Sequence, residues 1–243
     1  IPQLSGDQTR RAYVYVPQSY GEDPERRYPV MYFFDGQNIF FDDDAAFSTS
    51  WGMEGYMLES ERELILVAIE CNREGSGRLE EYSPFTFENS ELGRIKGRGK
   101  QYMHWLIQEL KPYIDETYRT LPDRENTMIA GSSMGGLMAL YAATAFNSVF
   151  QRAACLSPSL WVAPGKILEL IARAHIRRDT CIYLDYGAKE MFNHAANAEA
   201  LFSTAHLLMT KRVNLTFRIV PDGTHCEASW ANQVPIFMEC LDV

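Results

Sequence analysis

Two apolar rhythms take turns along this chain, and their order admits few architectures. Short runs rich in β-branched and aromatic residues lie at Ala12 to Val16, Val30 to Phe34, Leu64 to Ile69, Thr127 to Ala130, Ala153 to Leu156, Cys181 to Leu184 and Leu215 to Val220, and each has the character of a strand. Helical spacing separates them at Gly52 to Glu59, Tyr102 to Tyr118, Met134 to Thr144, Ile167 to Ala174, Ala195 to Thr210 and Glu227 to Leu241. From the third strand onward the series is βαβα, and an uninterrupted apolar strand such as Ile65 to Ile69 is what a parallel sheet covered on both faces requires. The expected fold class is therefore α/β, a doubly wound and mostly parallel sheet with helices on both faces. No internal repeat, low-complexity tract or long linker divides the 243 residues, so one domain over residues 1–243 is expected.

Two segments depart from the regular pattern. The helix over Tyr102 to Tyr118 carries an apolar stripe at Met103, Leu106, Ile107, Leu110 and Ile114, and Pro112 should bend it near its last turn. The polar, glycine-spotted stretch from Asn72 to Lys100 is too long for an ordinary connection and is expected to form a wall of a binding cleft. Its basic run, Arg94, Lys96, Arg98 and Lys100, lacks the Ser or Thr that follows Gly-Lys in a phosphate loop and reads as solvated chain.

Charge and cysteine usage exclude several functions. Acidic residues outnumber basic ones 32 to 23, giving a net charge of −9, which argues against nucleic acid as a partner. No run approaches the roughly 18 apolar residues of a membrane span, and Ile1 to Arg11 is too polar for a signal core. Five single cysteines (Cys71, Cys155, Cys181, Cys226 and Cys240) suit a reducing, cytoplasmic address better than a disulfide framework, with Cys155 and Cys181 read as buried. The five histidines show no metal-ligand spacing, so neither a structural metal nor a cofactor is expected. The Asn214-Leu-Thr216 sequon falls in an expected strand and is discounted.

The chemistry concentrates in Thr127-Met-Ile-Ala-Gly131-Ser132-Ser133-Met134-Gly135-Gly136-Leu137, where a strand ends in Gly-x-Ser-x-Gly and a helix starts at once. A serine at so sharp a turn needs residues without side chains two before and two after it, and Gly131 and Gly135 supply them. Ser132 lacks that flanking symmetry, so Ser133 is the candidate nucleophile. A serine hydroxyl needs a histidine base held by a carboxylate, and on this kind of sheet the chain order is Ser, acid, His. His225, in the turn Pro221-Asp-Gly-Thr-His225 after a strand, is a better candidate than His175, His194 or His206. Glu190, just past the strand that begins at Cys181, is preferred as the acid over Asp185 within that strand and Asp222 in a turn. Two backbone N–H groups must hold the oxyanion. Met134 follows the nucleophile, and Gln37 lies in the loop Asp35-Gly36-Gln37-Asn38, where Gly36 lets the backbone turn close to the substrate.

Asp35-Gly-Gln-Asn-Ile-Phe40, Ser50-Trp-Gly52, Arg78-Leu-Glu-Glu-Tyr-Ser-Pro84, Glu109-Leu-Lys-Pro112, Gly131-Ser-Ser-Met-Gly-Gly136, Ser157-Pro-Ser-Leu-Trp161 and His225-Cys-Glu-Ala-Ser-Trp230 together resemble the putative-esterase family related to esterase D, of the α/β-hydrolase superfamily. The resemblance covers nearly the whole chain. It implies an α/β-hydrolase fold without a large lid domain, a Ser133–Glu190–His225 triad and an oxyanion hole at Gln37 and Met134; many relatives carry Asp at the acid position. Its members include carbohydrate esterases of feruloyl and acetylxylan type, S-formylglutathione hydrolases, siderophore esterases and mycolyltransferases. The expected partner is thus a small-molecule or oligosaccharide ester, with Asp35, Arg78 and Trp161 as candidate substrate contacts. Arg78 and Glu81 could instead pair to hold their loop, and Trp161 could be a core residue. A transferase using the same site and a non-catalytic binding member remain the alternatives, and the oligomeric state is open.

Overall fold

The computed structural model describes residues 1–190 and 194–243. Among the described residues nine strands are formed: β1 Ala12–Tyr15, β2 Val30–Phe33, β3 Ile65–Ile69, β4 Phe87–Asn89, β5 Gly93–Ile95, β6 Thr127–Ser132, β7 Arg152–Leu156, β8 Cys181–Gly187 and β9 Asn214–Val220. Seven make one sheet in the order β1-β3-β2-β6-β7-β8-β9, parallel throughout except for β1, which runs antiparallel to β3 along one edge. All seven strands expected from the sequence are there. The two additional strands, β4 and β5, form a small antiparallel hairpin inside the long polar segment.

Strands β2, β3 and β6 are buried along their whole length, which explains why they read as continuous apolar runs. Successive side chains feed opposite layers. Val30, Tyr32 and Phe34 join the core under the helices Gly99–Trp105, Met134–Ala145, Pro164–Arg173 and His194–Thr210. Met31 and Phe33 join the opposite core, closed by Met53–Ser60 and Val234–Cys240.

Two helices differ from expectation, each because of a proline. The helix over Tyr102 to Tyr118 is divided: α-helical at Gly99–Trp105, π-helical at Leu106–Leu110, and α-helical again at Lys111–Thr117 with Pro112 in its first turn. A ring at this position would clash with the carbonyl four residues earlier, and the wider π turn relieves that conflict. The expected helix from Glu227 to Leu241 is two, Glu227–Ala231 and Val234–Cys240, because Pro235 is tolerated only where no helical N–H is needed. Cys155 is buried as expected, whereas Cys181, at the start of β8, is only half-buried. Among the described residues, no helix is long and apolar enough to cross a membrane.

Candidate active site

Parallel strands place their carboxyl ends along one rim, and the groups singled out above converge there. The first is Ser133, between β6 and the helix Met134–Ala145, with φ 55° and ψ −119°, a conformation that an L-residue keeps only when its surroundings impose it. The imposition is steric. A Cβ on Gly131 would sit 2.6 Å from the carbonyl carbon of Gly135, one on Gly135 would sit 2.9 Å from Phe34 Cβ, and one on Gly136 would sit 2.7 Å from the Leu156 carbonyl oxygen. Close packing of three backbones therefore fixes the bend, and the contact with Phe34 brings the turn after β2 alongside Ser133.

His225, in the loop after β9, places Nε2 2.9 Å from Ser133 Oγ and Nδ1 2.8 Å from Glu190 Oε2. Glu190 is 3% exposed, and its other oxygen accepts from the Gly187 N–H (2.9 Å) and from Ser157 Oγ (2.5 Å). The rival Asp185 has other partners. It lies inside β8, which runs three residues further than the apolar run Cys181 to Leu184, and it accepts from the Ser157 N–H (2.9 Å) and Tyr183 Oη (2.8 Å). Burial pushes the Asp185 carboxyl up to about 6, with Glu190 nearby adding to the effect. Asp222 is exposed and pairs with Lys189 (2.7 Å). Ser132 lines the cleft but does not share the Ser133 contact with His225.

The turn after β2 holds the other expected donor. Asp35 takes the left-handed conformation at φ 56°, while Gly36 does not. Gly36 is required for a different reason from the one expected: its Cβ would lie 2.4 Å from the Ala68 carbonyl carbon, so the turn is pressed against β3. Gln37 is locked to the end of β3, its Oε1 accepting from the Cys71 N–H (3.2 Å) and its Nε2 lying 3.4 Å from Cys71 Sγ. Gln37 thus lines the cleft on a rigid support, and Met134, the first residue of its helix, has an N–H with no carbonyl within that helix to bind.

The cleft, about 450 Å³, is lined by Asp35, Gln37, Asn38, Phe47, Asn72, Arg73, Arg78, Ser133, His225, Glu227 and Trp230 among others. The expected wall from Asn72 to Lys100 contributes only its first part, up to Arg78, since the β4–β5 hairpin packs elsewhere. Arg78 does not pair with Glu81. It grips Asp35 with two hydrogen bonds, 2.7 and 2.8 Å, while Glu81 pairs with Arg10 (2.8 Å) and accepts from the Asn72 N–H. Burial alone would lower the Arg78 pKa, but the Asp35 carboxylate outweighs it and raises it, so the guanidinium stays charged. Trp161 is not among the cleft-lining residues: its ring meets Phe87 edge-on at 5.8 Å and its backbone N–H donates to Asn197 Oδ1.

Sequence reasoning missed four contributors. Asn38 donates to Glu227 Oε1 across the cleft (3.1 Å), and burial raises the Glu227 pKa. Ser159 Oγ lies 3.2 Å from Ser133 Oγ, and Trp230 packs edge-on against the His225 ring at 4.9 Å while donating to Ser157 Oγ at 3.0 Å. Position was the signal for Ser159, since Ser157-Pro-Ser159 follows directly on β7; Asn38 lies in the turn after β2, and Glu227 and Trp230 lie in the short helix Glu227–Ala231 beyond β9. A larger groove of about 680 Å³, lined by Lys166, Leu170 and Arg173, lies apart from Ser133, Glu190 and His225. Among the described residues, no cluster of His, Cys, Asp or Glu could hold a metal ion.

Known proteins share this arrangement of chain. An IroE-like serine hydrolase from Shewanella oneidensis superposes with a TM-score of 0.78 at 17% identity, covering 96% of this chain and 76% of that one. A ferulic acid esterase gives 0.67 at 20% identity over 95% and 93%. The enterobactin esterase FES from Shigella flexneri gives 0.71 at 19% identity, and this chain spans 55% of its length. These are likenesses of an α/β-hydrolase-type fold. In sequence, the chain is 25% identical over 184 residues to a Bacillus subtilis (strain 168) protein named Uncharacterized protein YbbA, covering 74% of this chain and 69% of that protein. The model of the family described as Putative esterase matches residues 5–236, and the chain belongs to that family.

Proposed function

We propose that the chain hydrolyses a carboxylic ester through an acyl-enzyme on Ser133, and that its substrate is an acetyl or feruloyl ester of plant-wall carbohydrate. The observation that carries the reading is the unbroken series Ser133 Oγ, His225 Nε2, His225 Nδ1, Glu190 Oε2, with spacings of 2.9 and 2.8 Å. Ser133 Oγ bonds to the ester carbon as its proton passes to His225 Nε2, and the carbonyl oxygen becomes an oxyanion facing the N–H groups of Met134 and Gln37. Collapse breaks the ester C–O bond, and His225 returns the proton to the leaving alcohol. Water then repeats the sequence and frees the acid and Ser133. Glu190 holds the imidazole with Nδ1 protonated and stabilises it when charged. The substrate class is supported by the planar polar side chains around the cleft, Asn38, Asn72, Arg78 and Glu227, which suit sugar hydroxyls, and by Phe47, whose ring is 75% exposed at the rim.

Ser133→Ala should leave the fold intact and lower hydrolysis of a nitrophenyl ester by several orders of magnitude, and an organophosphonate should label Ser133 in the parent protein. Activity near that of the parent would refute the assignment. Arg73 and Arg78 beside the cleft favour one second reading, a catecholate triester. A panel of acetylated xylan oligomers, feruloylated sugars, S-formylglutathione and a cyclic catecholate triester separates these substrates. Product analysis with competing alcohols separates hydrolysis from acyl transfer.

A further inference from the structure

We infer that Ser157 is a positioning residue of this site, holding Glu190 in the one orientation that keeps a carboxylate oxygen on His225. The inference rests on the proposed roles of Ser133, His225 and Glu190. Ser157 follows the last residue of β7 and stands between two buried acids, giving one donor to each. Its N–H serves Asp185 Oδ1 at 2.9 Å, and its Oγ lies 2.5 Å from Glu190 Oε1.

The direction of the hydroxyl proton follows from its partners. Trp230 Nε1 lies 3.0 Å from Ser157 Oγ and can only donate, so the serine oxygen accepts there. A carboxylate can only accept, so the single hydroxyl proton goes to Glu190 Oε1. With the Gly187 N–H on the same oxygen, both donors hold Oε1 and leave Oε2 toward Nδ1. The backbone of Ser157 is itself held at φ 42°, where a non-glycine residue is strained. Asp185 provides the hold, and it is anchored in turn by Tyr183 Oη, which accepts from Arg218 Nη1 at 3.1 Å. The acid passed over in favour of Glu190 therefore has work in the site: it fixes Ser157, which fixes Glu190.

A residue needed only for packing would be replaced without cost by glycine, which tolerates φ 42° better than serine does. Ser157→Gly and Ser157→Ala both remove the hydroxyl and differ in backbone freedom, and at least the glycine variant, relieved of the strain at φ 42°, should remain folded, as a thermal melt would show. We expect kcat on a nitrophenyl ester to fall about 10- to 100-fold in both, the loss of one hydrogen bond to a charged group, with KM nearly unchanged. The acid limb of the pH–rate profile should move to lower pH, because an imidazolium whose carboxylate has swung away is less stabilised. Ser133→Ala is run alongside. If Ser133→Ala is inactive while the folded Ser157→Gly keeps the kcat and pH profile of the parent, the role of Ser157 is refuted and the ester-hydrolase reading stands. If Ser133→Ala remains active, that reading falls first and takes this role with it.

Discussion

Replacing Glu190 by Gln exchanges one oxygen of a buried side chain for nitrogen and should reverse the protonation of its neighbour. Oε1 accepts from Ser157 Oγ and from the Gly187 N–H. An amide NH2 in that place would confront two donors, so the amide oxygen must occupy it and the NH2 must turn to His225 Nδ1, 2.8 Å away. Nδ1 then accepts, and the neutral imidazole carries its proton on Nε2, the atom 2.9 Å from Ser133 Oγ. A protonated Nε2 cannot take the serine proton. In serine proteases the corresponding carboxylate-to-amide change lowers kcat about 10⁴-fold, equivalent to about 5.4 kcal/mol at about 1.36 kcal/mol per tenfold. The same order is expected here, since the amide orientation that satisfies Ser157 and Gly187 leaves the imidazole proton on the nitrogen that must accept from Ser133. The assay is kcat for a nitrophenyl ester at neutral pH, with circular dichroism and a thermal melt establishing that the variant is folded. A folded Glu190→Gln protein within tenfold of the parent would show that Glu190 does not set the tautomer of His225.

Two other perturbations test the frame around the site. Gly36→Ala would place a methyl group 2.4 Å from the Ala68 carbonyl carbon in a fully buried strand, and a loss of about 3 kcal/mol in urea unfolding is expected, the upper end for overpacking; unchanged stability would mean that the turn can lift off β3. Asp185, pushed up to about 6 in the folded protein, binds its proton more tightly there than in the unfolded chain, where about 3.9 applies. Its contribution to stability is thus greatest below pH 4 and falls as pH rises to 6, by about 3 kcal/mol, an order-of-magnitude figure. Urea melts at pH 4.5 and 7.5 should therefore show the stability of the parent, measured relative to Asp185→Asn, dropping between the two, and an equal difference at both pH values would contradict the burial argument.

What could be read from the sequence was what depends on near neighbours. Gly131 marks the bend because its conflict is with Gly135, four residues on. Glu190 could be chosen over Asp185 because Gly187 marks the end of β8, and a side chain inside a parallel strand is committed to one face of the sheet. Contacts between distant segments were less accessible. Arg78 reads as a partner for Glu81, three residues on, but the rim of the sheet offers it Asp35, 43 residues earlier in the chain. Gly36 reads as a flexible turn, whereas its constraint comes from Ala68 on the neighbouring strand. Trp161 reads as a possible pocket wall, and the hairpin that draws it away has no counterpart in the sequence pattern, where residues 87–95 look like irregular chain. Pro112 and Pro235 were visible, but whether a proline bends a helix, widens it or splits it depends on what packs beside it.

The division of labour along the rim has a practical corollary. The proposed bond-making groups sit beyond β6, β8 and β9, whereas much of the surface that would meet the rest of a ligand comes from residues 38–47 and 72–78, after β2 and β3. Selectivity and reactivity are thus written in separate stretches, and exchanging either loop with that of a relative is a route to a new preference that leaves the machinery for cleavage untouched.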